Sequence, residues 1–377
     1  MIEAAVATPY LDALLRSRTV IVCCGAGGVG KTTTAAALGL AAAKLGRRVL
    51  VLTIDPAKRL GEALGLGENG TRPARVQKAE APLDAWMLDP KIVFEGMVRR
   101  LSSDEERVQR ILKNRLYRAL SDLVAGMQEY TAAEALYTFV ESGDYDLVVL
   151  DTPPSRNALE FIEAPRKLSA FLSEGIVGVF LPGGGGVFAR GARNFVANIF
   201  ERVFGAGFFG DLQEFLSAFS GMFAAMRTHS ESVRTLLTSQ RAAFLVVTSP
   251  DPSALEEGHF LQAQMRKLGL PFAGYVLNRS WAYTRAFGDP SQLLVPPGSA
   301  PALQEGMLKL LGLAEHERKL AERDRLVLND LAARGGEAHA TPHLGAAIDE
   351  FEGLVALADS FVVHPRAPDP ATLAPPG

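Results

Sequence analysis

One run constrains this chain more than any other: Gly25-Ala26-Gly27-Gly28-Val29-Gly30-Lys31-Thr32, which fits the pattern GxxxxGK[ST]. It stands between an apolar, β-branched run, TVIVCC (19–24), and an alanine-rich helical run, TTTAAALGLAAAKLG (32–46). A strand that turns through glycines directly into a helix aims backbone N–H groups and the positive end of the helix at one place, and such a cradle suits a polyphosphate. Lys31 adds a point charge for the β- and γ-phosphates, and the Thr32 hydroxyl is a Mg²⁺ ligand by type and position. Residues Gly25 to Thr33 are therefore the expected nucleotide-binding segment.

Further short apolar runs recur between helical segments: RRVLVLTID (47–55), YDLVVLD (145–151), AAFLVVTSP (242–250), FAGYVLN (272–278) and, more weakly, LDAWMLD (83–89). Their near-continuous apolarity suits strands buried on both faces of a parallel sheet. The expected fold class is α/β: a doubly wound, mainly parallel sheet forming a P-loop NTPase core, with an inserted helical subdomain. A single domain over residues 1–363 is expected. Its core covers about 17–90, 143–160 and 241–300, and its helical segments about 91–142 and 161–240. The stretch KLLGLAEHERKLAERDRLVLNDLAARGG beyond residue 300 reads as a surface helix, and the proline-rich tail 364–377 as disordered.

A phosphate site of this kind needs acidic groups at neighbouring strand ends. Asp151 closes YDLVVLD as a carboxylate after an apolar strand, and Asp55 closes RRVLVLTID. The carboxyl ends of parallel strands share one ligand-binding edge, so both are candidates for the site.

Composition narrows the partners. A formal net charge of −3 gives no basic excess for nucleic acid, so none is expected as a partner. The two cysteines, Cys23 and Cys24, are adjacent, which excludes a disulfide scaffold and a CxxC zinc site. The N-terminal stretch carries Glu3 and Asp12 without a basic n-region, and no long uncharged apolar run follows. Neither a signal peptide nor a membrane span is expected, and a cytoplasmic location follows. The six histidines show no ligand spacing except His339 and His343, whose intervening Thr341-Pro342 prevents a shared helix face.

Taken together, GAGGVGKTTT, TIDPAKRLGEALG and DTPPSRNALEFIEAP resemble the P-loop, switch I and switch II of the arsenical pump-driving ATPases. That family includes the ATPases that target tail-anchored membrane proteins. Gly126-Met127-Gln128-Glu129-Tyr130, VTSPDPSALEE and Asn278-Arg279 resemble further family segments, the last two a nucleotide-sensing loop and an adenine-reading asparagine. The resemblance implies ATP and Mg²⁺ as cofactors and a dimeric, ATP-hydrolysing switch. In that scheme Asp55 orients the attacking water, Lys31 holds the phosphates, and Thr32 and Asp151 serve the metal, Asp151 through water. Asn278 reads adenine with Arg279 beside it, a strand-end turn residue being the other reading of Asn278.

The chain departs from the family at Ala26, where the deviant P-loop carries a signature lysine that reaches across a dimer. Alanine cannot spread transition-state charge. Lys58, Arg59 or Arg156 could substitute, a paralogue could supply the lysine in a heterodimer, or hydrolysis is slow. The expected outcome is a low basal rate, in a homodimer or a heterodimer. With no cysteine outside the first strand, arsenite stimulation and a zinc-stapled dimer are not expected. Two rival functions stand beside the switch: a regulatory nucleotide-binding subunit, and a positioning or partition ATPase.

Of 20 phenylalanines, 12 lie between Phe161 and Phe223. After the break at GAG (205–207), Phe208, Leu212, Phe215, Phe219, Met222 and Met226 recur at spacings of three and four. Two readings are open. The stripe is the core of the helical subdomain, or it lines an apolar groove for a hydrophobic client such as a membrane-protein segment.

Overall fold

In the computed structural model of the chain, residues 9–53, 59–66, 71–102, 104–114, 127–153, 202, 208–220, 223–282, 300–343 and 351–362 are described. Eight strands form one sheet: β1 (Val20–Cys24), β2 (Val49–Thr53), β3 (Ala74–Arg75), β4 (Leu83–Met87), β5 (Leu147–Asp151), β6 (Ala242–Thr248), β7 (Phe272–Ser280) and β8 (Glu337–Pro342). Their order across the sheet is β3-β4-β2-β5-β1-β6-β7-β8. Every pairing is parallel except the short β3–β4 contact at one edge. β1 therefore lies deep in the sheet, between β5 and β6, with its carboxyl end beside theirs.

The helices described are α1 (Pro9–Ser17), α2 (Lys31–Lys44), α3 (Arg59–Leu64), α4 (Pro90–Leu101), α5 (Glu105–Lys113) and α6 (Met127–Ser142). They continue with α7 (Phe208–Ser220), α8 (Phe223–Thr238), α9 (Pro252–Leu268), α10 (Pro301–Ala333) and α11 (Phe351–Asp359). Alternate strand residues feed two separate apolar layers, as the period of two demands. Ile21, Cys23, Val49 and Val51 pack under α1, α2, α3 and α11, whereas Val20, Val22, Cys24 and Leu52 pack under α4, α6, α8 and α9. This accounts for the continuous apolar runs in the sequence: both faces of each central strand are buried. Along α2, Gly39 meets Val51 so closely that an added Cβ would lie 2.4 Å from it, which seats the helix low on the sheet.

Local signals set the helix starts. Asp89 caps α4 by accepting from the Lys91 N–H at 2.8 Å, with Pro90 in the first turn. Asp251 caps α9 in the same way from Ser253 at 2.9 Å, and Gly269 ends that helix in the left-handed region. In the helical layer, Glu134 of α6 is buried between Arg100 of α4, with which it pairs, and His229 of α8 at 2.7 Å. One carboxylate thus ties three helices.

One expectation needs correction. The core does not end near residue 300, because β8 pairs with β7 and α11 packs along α2. Around His339 the chain is the strand β8, and Pro342 ends it at the sheet edge, where its missing N–H costs little. His339 points into the core beside Phe361, and His343 stacks on Trp281, so the two imidazoles serve separate places. Residues 54–58 of the first switch segment, the run 154–201 and the tail lie outside the described residues.

Candidate nucleotide site

The site begins where β1 ends. Gly25 passes so close to β6 that a Cβ there would lie 2.1 Å from the Val247 carbonyl oxygen, so only glycine fits. The loop then rises to Gly27 and Gly28, both exposed. Gly30 opens α2 at φ 89° and ψ 30°, a conformation that glycine alone adopts without strain. No side chain caps this helix and its first turn holds no carboxylate. The positive end of the α2 dipole therefore faces the glycine loop without a carboxylate of its own.

Lys31 is almost fully buried, and its Nζ donates to the Ala26 carbonyl oxygen at 2.8 Å, folding back over the loop. Thr32 Oγ1 donates to Asp151 Oδ2 at 2.7 Å, and Thr53 Oγ1 donates to the same oxygen at 3.0 Å. Asp151 is fully buried at the end of β5, in register with Cys23 of β1 and Thr53 of β2. Thr152 is fastened next to it, its hydroxyl donating to the Cys23 carbonyl at 2.8 Å. The donor set is therefore all oxygen, two hydroxyls and a carboxylate at the foot of the glycine loop. That chemistry fits a hard divalent cation such as Mg²⁺.

Asn278 lies 249 residues from Val29 in sequence yet donates from Nδ2 to the Val29 carbonyl at 2.8 Å. Its Oδ1 accepts from Thr341 Oγ1 of β8 at 2.6 Å, and the side chain is buried. A carboxamide has two N–H donors and two acceptor lone pairs, so these two bonds use one of each. Arg279 is exposed, and at φ 56° it is the sole non-glycine residue with positive φ among those described. It sits in the irregularity that shifts the β7–β8 register between Leu277 and Ser280.

Burial raises the Cys23 thiol well above its ordinary range, aided by the Asp151 charge, and pushes Cys24 up to about 12. Both are thiols at neutral pH, packed in β1 on opposite faces of the sheet. Asp55 and Lys58, and Arg156 in the second switch, lie outside the described residues, as does the Arg59 side chain.

Within the phenylalanine stripe, Phe208 and Leu212 are half-buried on α7, while Phe215 is 9% exposed where α7 meets α5. Asn114 fastens that junction by donating to the Asp211 carbonyl at 3.1 Å. At Phe215 the side chain belongs to the core. The side chains of Phe219, Met222 and Met226 lie outside the described residues.

Sequence reasoning missed three residues that build the site: Thr53, Thr341 and, beyond them, Asp324 of α10. Asp324 is fully buried and accepts from the Trp281 N–H at 2.8 Å and from Ser280 Oγ at 3.3 Å, fixing the turn after β7. Thr53 carried a readable signal, a hydroxyl ending an apolar strand two residues before Asp55. Thr341 and Asp324 carried none, because their partners are remote in sequence.

Comparison with known proteins places the chain in a family. The profile of the family described as Anion-transporting ATPase matches residues 18–286, from before β1 to just past β7. ATPase ASNA1 homolog 1 of Paramecium tetraurelia is 25% identical over 280 residues, 72% of this chain and 78% of its own length. ATPase get3 of Aspergillus terreus is 28% identical over 169 residues and ATPase GET3 of Malassezia globosa 29% over 168; each match covers 44% of this chain. The chain spans about half the length of these two fungal relatives, 49% in each.

Proposed function

Because the chain belongs to the anion-transporting ATPase family, we propose that it is a dimeric switch that binds and hydrolyses ATP and couples nucleotide state to capture of a hydrophobic client. The client class is a membrane-protein segment, as for the tail-anchored targeting members of the family, and the working compartment is the cytoplasm. No described helix is long and apolar enough to cross a membrane. The observation that carries the reading is the junction of Thr32 with Asp151 at the start of an uncapped helix. It joins a phosphate cradle to a buried carboxylate, an arrangement of little use to a purely structural turn.

In this reading Lys31 exchanges the Ala26 carbonyl for the β- and γ-phosphate oxygens when nucleotide binds. Thr32 and Asp151 would hold Mg²⁺, which supplies neutralising charge at those phosphates. Asp55, at the end of the β2 run, orients the attacking water. Asn278 contributes its remaining N–H and lone pair to adenine while keeping the loop in shape. Ala26 leaves the cradle without a second lysine, so turnover is slow until a partner chain or a client supplies the missing charge. Cys23 and Cys24, buried as thiols, favour an organic client over a metalloid trigger.

The test pairs ATP turnover with capture of a transmembrane peptide, in wild type and in a Phe208→Asp/Leu212→Asp variant on the half-exposed side of α7. Slow turnover, ATP-dependent capture, and loss of capture alone in the variant would support the switch. Capture indifferent to both nucleotide and variant would reject it. Ala26 also favours a second reading, a regulatory nucleotide-binding subunit. That reading predicts ATP bound at stoichiometry with no single-turnover hydrolysis, even beside a lysine-bearing paralogue.

A further inference from the structure

The strand β8 lies past residue 286, where the family match ends, yet one of its residues reaches the nucleotide site. Leu277 pairs with Ala340 and Ser280 with Pro342, so Asn278 and Arg279 of β7 stand opposite Thr341 alone. Two residues against one make a β-bulge; bulges are rare in parallel pairs and occur beside sites where a side chain must be re-aimed. This one carries backbone strain as well, since Arg279 takes φ 56° without being glycine. The chain after the bulge is tied down on two sides. The Ser280 carbonyl accepts from the His343 N–H at 3.1 Å, and Asp324 of α10 accepts from the Trp281 N–H at 2.8 Å.

The bulge brings together the carboxamide of Asn278 and the hydroxyl of Thr341. On its own a carboxamide turns easily about its last side-chain bond, whose torsion is broad. Here it is held at both ends. The Val29 carbonyl can only accept, so Nδ2 faces it at 2.8 Å, and Oδ1 accepts from the Thr341 hydroxyl at 2.6 Å. Two fixed atoms define the plane of the group, and one does not. With Thr341 fully buried and Asn278 1% exposed, bulk water cannot replace the hydroxyl as donor.

We propose that Thr341 is a specificity-determining positioning residue: by fixing the carboxamide plane of Asn278, it sets the preference of the site for adenine over guanine. This role rests on Asn278 meeting the base, as proposed above. A carboxamide oxygen accepts from the adenine N6 amino group while its N–H donates to N7; at the same edge guanine presents O6 and N7, both acceptors. The distinction is directional, so it holds only while the oxygen and the nitrogen keep their places. Because the hydroxyl comes from β8, base preference depends on a strand outside the segment that matches the family.

Isothermal titration of the full chain with ATP, GTP and inorganic tripolyphosphate separates base reading from support of the phosphate loop. Thr341→Val removes the donor and keeps the shape. It should weaken ATP binding about tenfold, with GTP and tripolyphosphate within about twofold of wild type. Thr341→Ala removes the same donor without the added methyl and should behave alike, whereas Thr341→Ser keeps the hydroxyl and should keep the preference for ATP. Asn278→Ala should lose that preference, and adding Thr341→Val to it should change the ratio of ATP to GTP affinity no further. Equal weakening of all three ligands by Thr341→Val would make the residue a prop of the loop and overturn the proposal. So would a ratio that Thr341→Val and Thr341→Ala leave unchanged while Asn278→Ala abolishes it. If Asn278→Ala also leaves the ratio unchanged, the adenine reading itself fails, and the role of Thr341 with it.

Discussion

Asn278 closes over Gly30: its Nδ2 occupies the place where a Cβ on Gly30 would come within 2.1 Å, and the same nitrogen donates to the carbonyl of Val29. The glycine that turns the phosphate loop into α2 is therefore shaped from outside by a residue on β7. Gly30→Ala should weaken ATP binding at least tenfold (about 1.4 kcal/mol), through both the positive φ and the clash. Adding Asn278→Ala should relieve the clash and recover part of the loss. A double-mutant cycle on ATP affinity checks this, with a coupling of about 1 kcal/mol expected for residues in contact.

The shared oxygen of Asp151 makes a second prediction. Thr32→Val removes one hydroxyl of the oxygen set while preserving size, and Thr53→Val removes the other. The first should lower turnover by about 10–100-fold and abolish the gain in ATP affinity that Mg²⁺ confers; the second should act more mildly, through the orientation of Asp151. Isothermal titration with and without Mg²⁺ separates them.

Glu134 sits where α4, α6 and α8 meet, pairing with Arg100 and lying 2.7 Å from His229 Nε2. Arg100 is 45% exposed, so solvent screens part of that pair. Glu134→Ala should cost about 1–2 kcal/mol, less than the loss of a fully buried pair, and Glu134→Gln about half as much. Urea unfolding followed by circular dichroism measures both.

His339, buried on β8, has its basicity lowered to about 4 by loss of solvation. An unfolded histidine takes up its proton near pH 6.5. Between those values the unfolded chain binds the extra proton, so stability is complete above about pH 6.5 and falls as the pH drops toward 4. The full loss is about 3 kcal/mol. His339→Leu should flatten that part of the stability curve, as thermal melts across pH 4–7 would record.

The central sheet was legible because its signals are local. A buried parallel strand announces itself by unbroken apolarity, and TVIVCC, RRVLVLTID and AAFLVVTSP all fell on strands in the parallel sheet. Lys31 and Thr32 were legible for the same reason, since one short motif fixes them. β8 was not, because EAHATP mixes histidine, threonine and proline in a strand that gains its place from pairing with β7. The partners of Asn278 were equally hidden: Val29 and Thr341 come to it through the strand order, which no local window contains. Phe215 shows a different shortfall. Helical spacing identified an apolar stripe, but spacing is the same whether the stripe faces α5 or a client.

The clamp of Asp324 on Trp281 and Ser280 has a mechanical consequence. From Ala321 to Leu331, α10 is held against the sheet over roughly 15 Å; toward Leu303, where Leu303, Leu310 and Leu313 are exposed, it extends roughly 27 Å further. The fixed section begins at the strand that carries Asn278. A tilt of that strand end is thus magnified about twofold at the tip of the helix, and a small displacement there becomes a larger swing of the leucines at the far end.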